Sequence, residues 1–173
     1  MSKILYEQIE PESMKNIQNR VELDSKALMD IVNGIIQPYC KDLDDYVKFI
    51  KDCLKDGERP PTNDELDDFC TNLATYIYFA GGMCEQLGIK DDISKAIYKE
   101  VYNSERDRGT GTVADKDSLA ELASQQELLT NVCYNRAYRI MKAKIDAAQE
   151  LLGSVKKVLS RRMSEQELTR LQR

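Results

Sequence analysis

Residues 134–159 read YNRAYRIMKAKIDAAQELLGSVKKVL. Within them Tyr134, Tyr138, Met141, Ile145, Ala148, Leu152, Val155 and Leu159 follow one another at alternating steps of four and three. That alternation keeps one apolar stripe on one side of a helix, the seam by which a helix packs against a neighbour along its whole length. Tyr138, Met141, Ile145, Leu152, Val155 and Leu159 are therefore expected to hold helices or subunits together, in a homo-oligomer. The same segment and its continuation carry Arg136, Arg139, Lys142, Lys144, Lys156, Lys157, Arg161 and Arg162. A basic helix with an assembly seam points to a protein that binds something.

The rest of the chain is acidic. Its 173 residues have a formal net charge of -5, but residues 1–88 hold 9 Lys/Arg against 17 Asp/Glu, a balance of -8. Residues 89–173 hold 16 against 13, or +3, and residues 133–173 hold 10 against 4, or +6. A polyanion fits the C-terminal part, while the acidic half faces a basic partner or keeps the chain soluble. Solvated charged faces of long helices give the same pattern without any ligand. Hydrophobic residues at 42% and charged residues at 32% suit one helix-rich globular domain. No run approaches eighteen apolar residues, so no membrane span or membrane partner is expected. Glu7 and Glu10 stand where a signal peptide needs its apolar centre, so a cytoplasmic location is expected.

Histidine is absent, which excludes His-based acid–base chemistry, Ser-His-Asp and Cys-His nucleophiles, and most zinc sites. Cys40, Cys53, Cys70, Cys84 and Cys133 are 13, 17, 14 and 49 residues apart, with no C-x-x-C. Their number is odd and most fall on apolar helical stripes, so they read as reduced, buried small hydrophobes. No metal and no cofactor is expected.

Helix punctuation sets the organisation. Ala27, Leu28, Ile31, Val32, Ile35 and Ile36 share one side of a helix that Pro38 is expected to end. Leu43, Tyr46, Val47, Ile50, Cys53 and Leu54 continue with the same period to a stop near Gly57. Thr62-x-x-Glu65 is a capping box that opens a third helix, whose face runs from Leu66 to Leu87 and whose end is expected at Gly88. Gly81-Gly82 inside it suggests a close helix crossing or a kink. Asp91 is expected to cap a fourth helix, and residues 103–117 read as a loop with no helical period. Ser118-x-x-Glu121 opens a long helix, and Ser164-x-x-Glu167 a short last one. No strand-like alternation or long repeat appears, so the fold class is all-α, a helical bundle with a long C-terminal helix. The expected domains are an N-terminal arm at 1–20, with Ile4, Leu5, Tyr6 and Ile9 before Pro11, and a single helical domain at 21–173. Within that domain, acidic helices at 21–88 precede a basic helical hairpin at 89–173.

Three constellations carry possible chemistry. Arg106-Asp-Arg108-Gly-Thr-Gly-Thr112 combines flexible glycines with two arginines, the means of holding a phosphate, but it lacks the lysine and spacing of a P-loop. Lys90, Lys95 and Lys99 lie on the helix leading into it, which suits a broader polyanion surface. Tyr98 and Tyr102 before the loop, and Tyr134 and Tyr138 after it, interleave aromatic faces with cations as single-stranded nucleic-acid binders do. The seam assigns Tyr134 and Tyr138 to packing, leaving Tyr98 and Tyr102 for stacking. Asp42-x-x-Asp45 and Glu65-x-x-Asp68 resemble the paired carboxylates of all-α nucleotide pyrophosphohydrolases, which hold Mg²⁺ against a nucleoside triphosphate. Acidic residues in a first helical turn are favoured without any such role.

Residues 63–162 resemble the UvsY family of phage recombination mediators. The likeness lies in the order of Tyr76-Ile-Tyr-Phe-Ala, then Lys95-Ala-Ile-Tyr-Lys-Glu-Val-Tyr, the charged Gly loop from Arg106 to Gly111, and a long helix closing on Leu152-Gly-Ser-Val-Lys-Lys-Val-Leu-Ser-Arg-Arg. Of the family's basic pair before the loop tyrosines, Lys99 matches one member and Val101 stands at the other. The resemblance implies a small helical, ring-forming protein that binds single-stranded DNA and helps a recombinase displace the single-strand-binding protein, in the host-cell cytoplasm and without catalysis. The DNA-binding residues so implied are Lys95, Lys99, Tyr102, Arg106, Arg108, Arg136 and Arg139. A non-enzymatic interaction or virion protein is the competing class, and the Mg-dependent pyrophosphohydrolase a third.

Overall fold

The computed structural model describes residues 11–55 and 59–171. Among them are four helices and no strand: α1 (Pro11–Lys55), α2 (Asn63–Arg108), α3 (Val113–Ala123) and α4 (Gln125–Leu171). The all-α class expected from the sequence is observed. Helices α2 and α4 form an antiparallel hairpin. Asn63 Nδ2 donates to Gln166 Oε1 at one end, and Asp91 is bonded by Asn131 and Asn135 near the other. Helix α1 runs antiparallel to α2, with the Tyr46 ring tilted against that of Tyr76 and Phe49 edge-on to Phe69. Lys144 of α4 reaches Asp44 of α1 with bonds of 2.7 and 2.6 Å.

The seam of residues 134–159 faces this chain's own helices. Met141, Ile145, Ala148 and Val155 are buried in one core with Leu66, Leu73, Leu87, Ile36 and Ile50, while Tyr138, Leu152 and Leu159 pack at its edge. The residues read as joining helices or subunits thus serve the first of those roles within a single chain.

Local signals place the helix starts. Thr62 accepts from Glu65 N–H, and the Glu65 carboxylate accepts from Thr62 N–H, so the capping box read in the sequence is formed. A second box, at Thr112 and Asp115, opens α3. In the turn before it Gly111 has φ 111°, where a side chain is strained and would also meet Asp115. Glu65 is held below its ordinary value of 4.5 by the Thr62 amide and hydroxyl. Asp115 is held below 3.8 by the Thr112 hydroxyl and amide. The stabilisation from both boxes is complete above those ordinary values and is lost as pH falls through the depressed ones.

Most expected helix stops are corrected. Pro38 lies inside α1, because Val32, Ile36, Cys40 and Leu43 on either side of it pack on one core and outweigh the ~3 kcal/mol that an interior proline costs. Helix α1 also passes residue 20 without a break; residues 1–10 of the expected arm and the stop near Gly57 lie outside the described residues. Helix α2 continues through Gly88 and Asp91 to Arg108, which shortens the expected loop 103–117 to residues 109–112. Gly88 is a contact and not a cap: a Cβ there would stand 3.3 Å from the Tyr138 ring. Gly81 and Gly82 face open space, with nothing within 4 Å of an added Cβ, so they make no close crossing. Ser118 lies inside α3, whose continuity with α4 breaks at the buried Ser124, its hydroxyl donating to the Ala120 carbonyl at 2.7 Å. Ser164 opens no separate helix, since α4 continues to Leu171.

Pro38→Ala is expected to raise stability by ~2 kcal/mol, and Gly81→Ala and Gly82→Ala by ~1 kcal/mol each, in urea unfolding. Gly88→Ala, made against the Tyr138 ring, should show no such gain. Met141→Ala should lower stability by about 3 kcal/mol, the cost of a cavity at a fully enclosed site.

Candidate nucleic-acid interface

The candidate DNA-binding residues fall into two groups once their partners are placed. Lys95 and Lys99 are exposed one turn apart on α2, and Arg136 and Arg139 are exposed on α4. None of these four makes an ion pair among the described residues. At the bend the cations are already matched. Arg106 Nε lies 2.6 Å from Asp117 Oδ1, and Arg108 lies 2.9 Å from Glu105. Tyr102 is half-buried and turned towards α3, its hydroxyl 3.4 Å from Asp117. Its ring lies 6.2 Å from that of Tyr98. Desolvation, then the negative charge of Asp117, pushes the Tyr102 phenol above its ordinary value.

The glycine loop does not form a phosphate cradle. The amide of Thr112 is taken by the Asp115 carboxylate, which also accepts from the Thr112 hydroxyl at 2.8 Å. That carboxylate occupies the position an anion would need and repels a second negative charge. Lys90 is likewise engaged, donating to the Tyr39 hydroxyl of α1. Lys95, Lys99, Arg136 and Arg139 are thus exposed and without an ion pair among the described residues, as are other exposed cations such as Lys41, Lys48 and Lys157.

Between these flanks sits a polar cluster that sequence reading missed. Asp91, expected as a cap, lies in mid-helix. Its carboxylate accepts from Asn135 Nδ2 at 2.8 Å and from Asn131 Nδ2 at 3.2 Å. Asn131 also donates to Ser94 Oγ at 3.0 Å. These bonds fix the α2–α4 register beside the cations. The one sequence signal was the pair Asn131 and Asn135 at a spacing of four, which gives no hint of a partner forty residues earlier.

The paired carboxylates do not assemble. Glu65 is used by its capping box and by Arg59. Asp42, Asp45 and Asp68 are exposed, and no group of three or more His, Cys, Asp or Glu suited to a metal occurs among the described residues. All five cysteines are free; Cys40, Cys70, Cys84 and Cys133 are buried and Cys53 half-buried. Burial, then the hydrogen bond to Asp44, pushes the Cys40 thiol up to about 11, and burial also raises Cys70, Cys84 and Cys133. No helix is long and apolar enough to cross a membrane among the described residues.

Comparison with known proteins finds no matching family model, no matching curated protein and no matching solved structure.

Two outcomes are expected. At pH 8 a thiol-reactive dye should label Cys53 first and the other four only after unfolding, read by peptide mass mapping. Asp91→Ala should lower stability by about 2 kcal/mol, since it strips charge-assisted bonds from two asparagines at once.

Proposed function

We propose that the protein binds single-stranded DNA along the cationic flank of the α2–α4 hairpin and acts as a recombination mediator, presenting the strand to a recombinase in place of a single-strand-binding protein. The observation that carries this reading is the set of exposed, unpaired cations Lys95, Lys99, Arg136 and Arg139. Phosphates bind such cations by displacing counterions, whereas a cation already held by a carboxylate gains less. Binding therefore rests on the flanks, and Arg106, Arg108 and Tyr102 at the bend contribute little. The sequence resemblance of residues 63–162 supports the mediator role. The exposed carboxylates Asp42, Asp45 and Asp52 of α1 and Asp64, Asp67 and Asp68 of α2 suit contact with a protein partner. The site of action is the cytoplasm of a host cell, and no chemistry on the DNA is involved.

A second reading, a non-enzymatic interaction or virion protein, is favoured by the exposed apolar side chains along α1 and α2. A salt series separates the two. Four phosphate contacts to a single-stranded oligonucleotide give a slope of log affinity against log salt of roughly −3, at ~0.7 per contact. The double variant Lys95→Ala/Lys99→Ala should reduce the slope by about 1.4, and Arg108→Ala should leave it unchanged. No binding at low salt by the folded chain would reject the mediator reading in favour of the second.

A further inference from the structure

Exposed apolar side chains recur along the described residues, and two groups of them are complementary in shape. The first is on α1. Its stripe is packed from Leu28 to Cys53 and continues at the same spacing through Val21, Ile17 and Met14, yet every residue from Met14 to Ala27 is exposed, Val21 by 61%. The second lies between α2 and α4. Past the contact of Lys90 with Tyr39, the flank of α2 that meets α1 is bare, with Ile93 exposed by 54% and Ile97 by 47%. With Glu127, Thr130 and Tyr134 these isoleucines wall a groove of about 440 Å³ to which α1 contributes no side chain. Glu127 brings to that wall an enclosed carboxylate oxygen, Oε2, that meets no donor among the described residues.

We propose that residues 14–24 of α1 from a second copy fill this groove, reciprocally, in a two-fold dimer. The groove continues the one in which α2 and α4 already seat α1, so the surface it fits is that of α1. One chain carries both the unfilled groove and the unseated stripe, and a reciprocal exchange of the two between two copies is the arrangement that closes under a two-fold operation. Charge agrees. Arg20 stands on the flank of the stripe beside Val21, its described ion pair a 3.8 Å exposed approach to Asp24, and it brings positive charge to a groove walled by Glu127. Area agrees as well. Met14 to Asp24 spans ~15 Å of helix; at on the order of 300 Å² hidden from each partner, two seats total roughly 1,200 Å², the lower end of a stable interface. The chain exposes 13363 Å², against roughly 8,600 Å² for a compact monomer of this mass. Residues 14–24 lie outside the segment that resembles recombination mediators, and the dimer does not depend on DNA binding.

Sedimentation velocity of the full chain without nucleic acid tests the proposal, with a dimer expected at micromolar concentration. Val21→Glu and Ile97→Glu should each weaken association at least roughly tenfold, the effect of ~1.4 kcal/mol. Circular dichroism should stay unchanged, because both side chains are exposed in the single chain. Mixing Val21→Cys chains with Ile97→Cys chains under mild oxidation should give a disulfide-linked pair. A wild-type chain that stays monomeric at high micromolar concentration would overturn the proposal. So would links formed between two Val21→Cys chains and none to Ile97→Cys.

Discussion

Everything else in this fold depends on the apolar contact between α2 and α4. Leu66, Leu73, Leu87, Met141, Ile145 and Val155 are buried in it, and burial of such side chains contributes on the order of 2 kcal/mol each before entropy is counted. The contact gives α1 a groove to lie in, sets which faces of α2 and α4 are left to solvent, and thereby decides which cations are free. The Asp91–Asn131–Asn135 bonds add register to that contact, because a shift of one turn would leave an aspartate and two asparagines without their partners.

The unpaired cations follow from the same geometry. Antiparallel pairing brings Lys95 and Lys99 near the start of α4 and sets Arg136 and Arg139 on the other side of the Asp91 cluster, near the level of Gly88, while the tight 109–112 turn folds α3 back so that Asp117 meets Arg106. Shortening the bend therefore neutralises its cations and leaves those on the flanks unneutralised. Arg106 is matched across the bend by Asp117 of α3, and Arg108 within α2 by Glu105.

The seam from Tyr134 to Leu159 was legible in sequence because a period of three and four survives any detail of context, and the all-α class followed from it. The Thr62–Glu65 cap was legible for the same reason, being a local device. Helix stops were not. Pro38, Gly81, Gly82 and Gly88 are local penalties of a few kcal/mol at most, and packing over forty residues exceeds them. Nor was the pairing of Arg106 with Asp117, or of Asp91 with Asn135, since these join elements whose proximity depends on where the chain turns. Sequence pattern marked the cations as a set but had no means of telling which of them carry an ion pair in the fold.

Three long helices side by side give a core one side-chain layer thick at every level. Each level is stabilised by its immediate neighbours above and below, much as in a repeat protein. Loss of packing at one height therefore has limited reach along the rod. The tip of α4 from Met163 onward, exposed throughout its described length, can fray without disturbing the turns around Met141. Such a rod tolerates change at its ends and concentrates its cooperativity in the middle.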